Sequence, residues 1–269
     1  MSAEDCIKAG DLTGALKLLQ ETIRENPGSA RHRVFLFQLL AVQSNWERAL
    51  TQLNVAADID PSTLLMAQAC RELLQNEGFR SEVFAGSKAP VLFGEPASWV
   101  ATLIQALAPA AANDGEQALR VASEAFDQAP VSAGTIDDQP FEWIADADMR
   151  LGPVLEAVVN GRYYWIPFFN IAEIEFQPPE DLRDLVWIPA QFTWRNEGQA
   201  VGFIPSRYPD STADDQLALA RKTEWHDRGS EFFVGTGQRV FSTDAGDFPI
   251  LETRHIVIKQ DEATNAAAE

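Results

Sequence analysis

Ala49-Leu50-Thr51-Gln52-Leu53-Asn54-Val55-Ala56-Ala57-Asp58-Ile59-Asp60-Pro61 decides the fold of the first half of the chain. At a spacing of 34 residues upstream, Ala15-Leu16 stands for Ala49-Leu50, Leu19 for Leu53, and Asn26-Pro27 for Asp60-Pro61. Small alanines let two helices approach closely, leucines fill the space between them, and proline ends the second helix because it cannot continue the hydrogen-bond ladder. A frame that starts at Ala30 puts Leu36 and Leu40 on a first helix and Ala49, Leu53, Ala56 and Pro61 on a second. Thr22 replaces the second small residue in the upstream copy, and Ala118, Ala125 and Pro130 form a further copy displaced by 69 residues.

This helix-turn-helix period is that of the tetratricopeptide repeat, whose stacks present a curved surface to other proteins. Between the copies the pattern predicts a helix at about Ser62 to Gln75, then Asn76-Glu77-Gly78, and a break from Phe84 to Pro90. Helical periodicity returns at Trp99, Leu103, Ile104 and Leu107, so residues 1–130 are expected to hold six or seven helices with one good repeat. On the inner side of such a stack, Arg31, Val34, Gln38 and Ala41 of one helix and Leu65, Gln68 and Glu72 of the next are expected to line a peptide groove. The alternative is that the degenerate repeats serve only as a packing scaffold.

The texture changes after residue 130. Residues 131–140 are small and acidic without an apolar period and are expected to be a linker; 141–260 carry short β-branched and aromatic runs. Asp146 to Asn160 is expected to be a helix, with Val154, Leu155, Val158 and Val159 as its apolar face and Gly161 as its stop. Strands are expected at Tyr163–Phe168, Ala172–Phe176, Leu185–Phe192, Gln199–Ile204, Phe232–Val234, Arg239–Ser242 and Leu251–Ile258, with a hairpin turn at Asn196-Glu197-Gly198. Residues from Gln260 on, 261–269 above all, have the composition of a frayed tail. The fold class is therefore α+β in two domains: TPR-like helical hairpins, then a β-rich α+β domain with a mainly antiparallel sheet, curled toward a barrel.

The formal charge is −19, with 16 acids against 10 bases through Pro130 and 24 against 11 beyond it. That field repels nucleic acid and anionic membranes and favours basic partner surfaces; its plainer use is solubility. No apolar run has the length of a membrane span, and the acidic N-terminus lacks the pattern of a secretory signal. Two cysteines, Cys6 and Cys70, form no metal-like cluster and suit a reducing cytoplasm.

Candidate chemistry is sparse. Glu224 and His226 are two apart, hence on one face of a strand, and with Arg254 and His255 they offer a polar site for an enzyme or an anion sensor. No third ligand has metal-site spacing. Asp146 and Asp148 suit helix capping as well as cation binding, and Gly235-Thr236-Gly237 is too short for a phosphate cradle. Trp143, Trp165, Trp187, Trp194 and Trp225 have the composition of an aromatic pocket, although core packing is the commoner use. Arg150, Arg183, Arg207, Arg221, Arg239 and Arg254 recur beside carboxylates, which suits bidentate pairs tying loops to strands or an anion site. No catalytic residue, cofactor or metal is expected.

Several segments in one order resemble the TagJ family, also called ImpE or SciE. They are Phe141-Glu142-Trp143-Ile144-Ala145-Asp146-Ala147-Asp148 with Arg150-Leu151-Gly152-Pro153, Gly161-Arg162-Tyr163-Tyr164-Trp165-Ile166-Pro167-Phe168, and Leu182-Arg183-Asp184-Leu185-Val186-Trp187. Ile204-Pro205-Ser206-Arg207-Tyr208-Pro209, Arg221-Lys222-Thr223-Glu224-Trp225, Gly237-Gln238-Arg239 and Leu251-Glu252-Thr253-Arg254 continue the series. The resemblance implies a cytoplasmic, non-enzymatic accessory protein of a bacterial type VI secretion system. It implies binding to the N-terminal helix of the small sheath subunit, TssB, and modulation of sheath recycling by the ClpV unfoldase. It carries no catalytic residues with it.

Overall fold

A computed structural model describes residues 2–95 and 97–259. Helices α1 (Ala3–Ala9) and α2 (Leu12–Glu25), then α3 (Ala30–Val42) and α4 (Trp46–Ile59), form the two hairpins that the repeat predicts. Ala15, Leu19, Ala49, Leu53 and Ala56 are all buried between them. Side chains at the helix starts satisfy free amides: Asp11 accepts from Gly14 N at 2.7 Å and Ser29 from His32 N at 3.4 Å. Helix α5 (Leu64–Phe84) lies against α4. Helices α6 (Ser98–Gln105), α7 (Leu107–Ala111) and α8 (Gly115–Gln128) complete the helical part, where Ala118 and Ala125 are buried as their pattern predicts.

Strands β1 (Val91–Leu92), β2 (Gly134–Ile136), β3 (Gln139–Phe141), β5 (Val154–Val159), β6 (Arg162–Pro167), β7 (Ile171–Phe176), β8 (Trp187–Trp194), β9 (Gln199–Pro205) and β14 (His255–Ile258) share one sheet, in the order β1-β6-β5-β9-β8-β7-β14-β2-β3. Every pairing in it is antiparallel except β1 with β6. A three-stranded sheet joins β4 (Ile144–Asp146), β12 (Val240–Thr243) and β13 (Gly246–Pro249), and β10 (Thr223–Asp227) pairs with β11 (Phe233–Gly237). A one-turn helix, α9 (Asp215–Ala218), precedes β10. The fold is α+β, a TPR-like helical part followed by a mainly antiparallel sheet part.

Two apolar cores result. Leu155, Ala157, Val159, Ile188, Ala190 and Phe192 point into one, which the curled sheet encloses. The alternate residues Val154, Val158, Tyr163, Trp165 and Trp187 point outward and join the helices in the other. The sheet's outer face is thus the floor on which the helical stack rests.

Five local readings change. Asp146 to Asn160 is not a helix but the end of β4, a turn and β5. Every residue of β5 is buried, so both faces are covered and the alternation that marks a strand is erased, leaving a spacing that imitates a helix face. Asn160 and Gly161, at φ 49° and 74°, make the two-residue hairpin turn to β6 instead of a helix stop. Residues 131–140 contain β2 and the first part of β3, which close the sheet edge through Ile256–Ile136 pairing.

Helix α5 continues past Gln75 because Asn76 is held: its Nδ2 donates to Glu72 O at 2.8 Å and Gly161 O at 2.9 Å, and its Oδ1 accepts from Tyr163 N at 3.1 Å. The break comes at Gly86, with φ 69° and Ala108 Cα only 2.5 Å from where a Cβ would stand. Among the described residues the helical part has eight α-helices rather than six or seven, since Pro109 cannot donate to a preceding turn and the Trp99–Leu107 pattern divides into α6 and α7. The hairpin at Asn196-Glu197-Gly198 joins β8 to β9 as expected, with Trp194 N on Gly198 O at 2.8 Å. The expected tail lies outside the described residues. Both cysteines are free and buried.

Candidate functional site

Part of the inner side of the helical stack is covered by the chain itself. Trp187 at the start of β8 meets Trp46 with ring centroids 5.7 Å apart and donates its Nε1 to Glu77 Oε1 at 2.7 Å. Arg207 reaches the end of α3, donating to Val42 O at 2.7 Å and also to Ala218 O, so two helix C-termini share one guanidinium. Arg183 sets its Nη1 3.8 Å from Cys70 Sγ.

Of the expected groove residues, Gln38 and Ala41 are therefore buried, Val34 and Glu72 are half-buried, and Arg31, Leu65 and Gln68 remain exposed. Leu65, 84% exposed, joins the exposed Ile59 and Leu64 in a small apolar corner between α4 and α5.

Behind this contact lies a buried ionic network. Glu156, in the middle of β5, accepts from Arg80 Nε and Nη2 at 2.8 and 2.7 Å, from Tyr163 OH at 2.6 Å, and from Arg239. Burial alone would raise its pKa, but the two guanidiniums override that and hold it at about 2. Among the described residues Asp146 has only Arg239 as its ion-pair partner, with Tyr208 OH at 2.9 Å, and Asp148 stands beside it. Burial, aided by that neighbouring carboxylate and opposed by Arg239, pushes Asp146 to about 6. Arg150 chelates Asp148 through Nε at 2.9 Å and Nη2 at 2.6 Å. The arginines flagged by sequence thus divide: Arg150, Arg207 and Arg239 are buried structural pairs or clamps, while Arg221 and Arg254 bind backbone carbonyls nearer the surface.

An open apolar groove lies elsewhere, where the end of α8 meets the three-stranded sheet and the β10–β11 hairpin. Its volume is about 640 Å³. Trp143, Trp225 and Phe233, each 41% exposed, and Val131, 72% exposed, line it with Phe126 and Met149. Trp225 is braced by Tyr208 at 5.6 Å between ring centroids, and Phe233 is fixed by reciprocal contacts with Met149, whose N donates to Phe233 O at 3.2 Å. Gly152, at φ 51°, is required here because a Cβ would stand 2.3 Å from the Phe126 ring. The rim is acidic: Asp247 lines the groove, and Asp244 accepts from Glu142 N at 2.7 Å beside Trp143. The five tryptophans considered from sequence therefore separate. Trp165, Trp187 and Trp194 are buried, and Trp143 and Trp225 face solvent in one groove. Clustered exposed aromatics of this kind mark binding surfaces.

The polar residues Glu224, His226, Arg254 and His255 do not converge. Glu224 and His226 line a shallow depression on β10, where Glu224 pairs with Lys222 at 2.7 Å and His226 Nε2 meets Thr236 Oγ1 at 2.9 Å. Arg254 and His255 are not among its lining residues; His255, on β14, pairs with Glu173 at 2.6 Å, and Glu175 lies close by.

The sheet part, residues 138–257, matches the family model described as ImpE protein, and residues 7–73 match a tetratricopeptide repeat model. A protein from Pseudomonas aeruginosa, named type VI secretion system accessory component TagJ, is 46% identical over 265 residues, 98% of this chain and 93% of its own length. The chain belongs to the TagJ family. A crystal structure of a protein from Vibrio parahaemolyticus has the same fold, with a TM-score of 0.89 at 25% identity over 97% of this chain and 99% of that one. The groove's aromatic residues Trp143, Trp225 and Phe233 all fall within the ImpE match. No helix among the described residues is long and apolar enough to cross a membrane.

Proposed function

We propose that the chain is a cytoplasmic, non-catalytic adaptor of a type VI secretion system that holds the N-terminal helix of the small sheath subunit TssB and tunes sheath recycling by the ClpV unfoldase. Family membership and the secretion-system role in the Pseudomonas relative's name support the setting. The observation that supports the docking mode is the groove of Trp143, Trp225, Phe233 and Val131, which is open, whereas Gln38 and Ala41 on the inner face of the repeat stack are buried. An amphipathic helix would insert anchors at i, i+3, i+4 and i+7 among the aromatic rings, with basic residues toward the rim acids Asp244 and Asp247.

Calorimetry with a peptide spanning the first turns of the cognate TssB tests this. Saturable one-to-one binding is expected, weakened about 30-fold or more by Trp225→Glu, as for a central aromatic anchor. Affinity unchanged by Trp225→Glu and Trp143→Glu would remove the groove from the reading. A second docking mode is favoured by the exposed Ile59, Leu64 and Leu65, continuous with Gln68 on α5. In that case Leu65→Glu, and not Trp225→Glu, abolishes binding.

A further inference from the structure

The helical and sheet parts enclose a second cavity, of about 450 Å³, distinct from the apolar groove. Its wall is cationic. Four guanidinium groups, from Arg80, Arg150, Arg207 and Arg228, face two carboxylates, Glu77 and Asp210. Glu77 is already engaged by Trp187 at 2.7 Å and by Arg80 at 3.4 Å.

The guanidiniums differ in what they have left to give. Arg80 is largely committed, giving four of its five N–H groups to Glu156, Glu77 and the Arg207 carbonyl. Arg150, only 7% exposed, commits Nε and Nη2 to Asp148, and its Nη1 has no hydrogen-bond partner among the described residues. Arg207 and Arg228 have no carboxylate within ion-pairing distance among the described residues. Arg207 is held only by carbonyls, and burial without a carboxylate depresses it to about 10. Arg228 touches only the amide oxygen of Asn113, at 2.8 Å. Ser44, Ser81 and Thr212 add hydroxyls to the same wall.

We infer that this cavity binds a small phosphate-bearing ligand. A planar carboxylate uses one guanidinium fork, whereas a tetrahedral oxyanion can accept from several donors at once, and several arginines and hydroxyls line this one cavity. The volume is that of a small-molecule site, large enough for free phosphate or a small sugar phosphate and too small for a macromolecular segment. The ligand would bridge Arg150 from the sheet part to Arg228 and the Ser81 hydroxyl on α5, and so join the two halves of the chain.

The test is thermal unfolding of the full chain titrated with sodium phosphate and, separately, glucose 6-phosphate, at constant ionic strength. A saturable rise in Tm is expected, with half-effect at about 1 mM or below, because a ligand that binds only the folded state stabilises it. Arg228→Gln is expected to raise the half-effect concentration about tenfold while leaving the ligand-free Tm unchanged, since this side chain is partly exposed and makes one amide contact. Ser81→Ala, a mild change on an exposed helix position, is expected to raise it less. Tighter response to glucose 6-phosphate than to phosphate assigns an ester, and equal response assigns the free ion. A rise matched by sodium chloride, or one unaltered in both variants, overturns the inference.

Discussion

The two faces of strand β5 are built on opposite principles. Leu155, Ala157 and Val159 enter a core built of hydrophobic side chains, while Val154, Glu156 and Val158 face the helices, where a buried carboxylate sits between two arginines. Apolar burial is non-directional and roughly proportional to area, so it closes the sheet without dictating what docks on its outside. The ionic network is directional: Glu156 can satisfy its oxygens in one arrangement of Arg80, Tyr163 and Arg239, and each of those belongs to a different element. The difference teaches that the inner face makes the fold and the outer face fixes the helical stack upon it. Those contacts cover part of the inner side of that stack and leave the aromatic groove at the end of α8 open.

The comparison breaks first at Glu156. Glu156→Gln leaves Arg80 and Arg239 short of a buried counter-charge and should cost about 3–5 kcal/mol, the range for removing one partner of a buried pair. Leu155→Ala on the opposite face should cost about 2–4 kcal/mol through a cavity alone. Urea unfolding of both variants checks the order. The sharper readout is limited proteolysis: Glu156→Gln should loosen the α5 contact and expose the Gly86 loop, whereas Leu155→Ala should weaken the sheet without releasing the helices. Equal proteolytic patterns would end the distinction between the faces.

A smaller effect belongs to the hairpin that carries Glu156. Gly161 sits at φ 74°, and a Cβ added there would stand 2.7 Å from Glu72 Oε2, so Gly161→Ala meets both backbone strain and a flexible side chain that can move aside. The expected cost is about 1–2 kcal/mol, from the left-handed conformation rather than the contact. Urea midpoints read it, and a value near zero would mean that the turn is not the two-residue type its dihedrals describe.

How far the sequence carried these features follows from the range of each interaction. The helical repeat was legible because its alanines and prolines recur along the chain. Strands β6 to β9 were legible because they alternate or end at turn residues. Strand β5 was not, because burial on both faces removes its period; the Asn160-Gly161 pair was the local signal that should have placed a hairpin there. Strand β10 entered only through the Glu224/His226 spacing and not through apolar alternation, because four of its five residues are exposed. The groove was half legible: Trp143 and Trp225 were among five tryptophans, but nothing adjacent distinguishes them from the buried Trp165 and Trp187. The Arg80–Glu156 pair, 76 residues apart in the chain, leaves no local trace beyond a carboxylate inside an apolar run.

The smallest effect contrasts the two buried acids as pH falls. Glu156 is held at about 2, below its ordinary 4.5, so its stabilisation is complete above pH 4.5 and is lost as pH falls toward 2. Asp146 is raised from 3.8 to about 6, so the folded state takes up its proton before the unfolded chain does. Its contribution therefore improves as pH falls through 6 toward 3.8, by about 1–3 kcal/mol in total and roughly half of that by pH 5. Acidification also relieves the general repulsion of a chain with a net charge of −19, which raises stability in any variant. Asp146→Asn separates the two causes because it removes one titration and leaves the overall field nearly unchanged. The urea midpoint of the unaltered protein should rise from pH 7 to pH 5 and fall again below pH 4, while that of Asp146→Asn should rise clearly less over the first interval. Equal rises would mean that Asp146 stays ionised beside Arg239, and that the network balances its charges at both acids rather than at Glu156 alone.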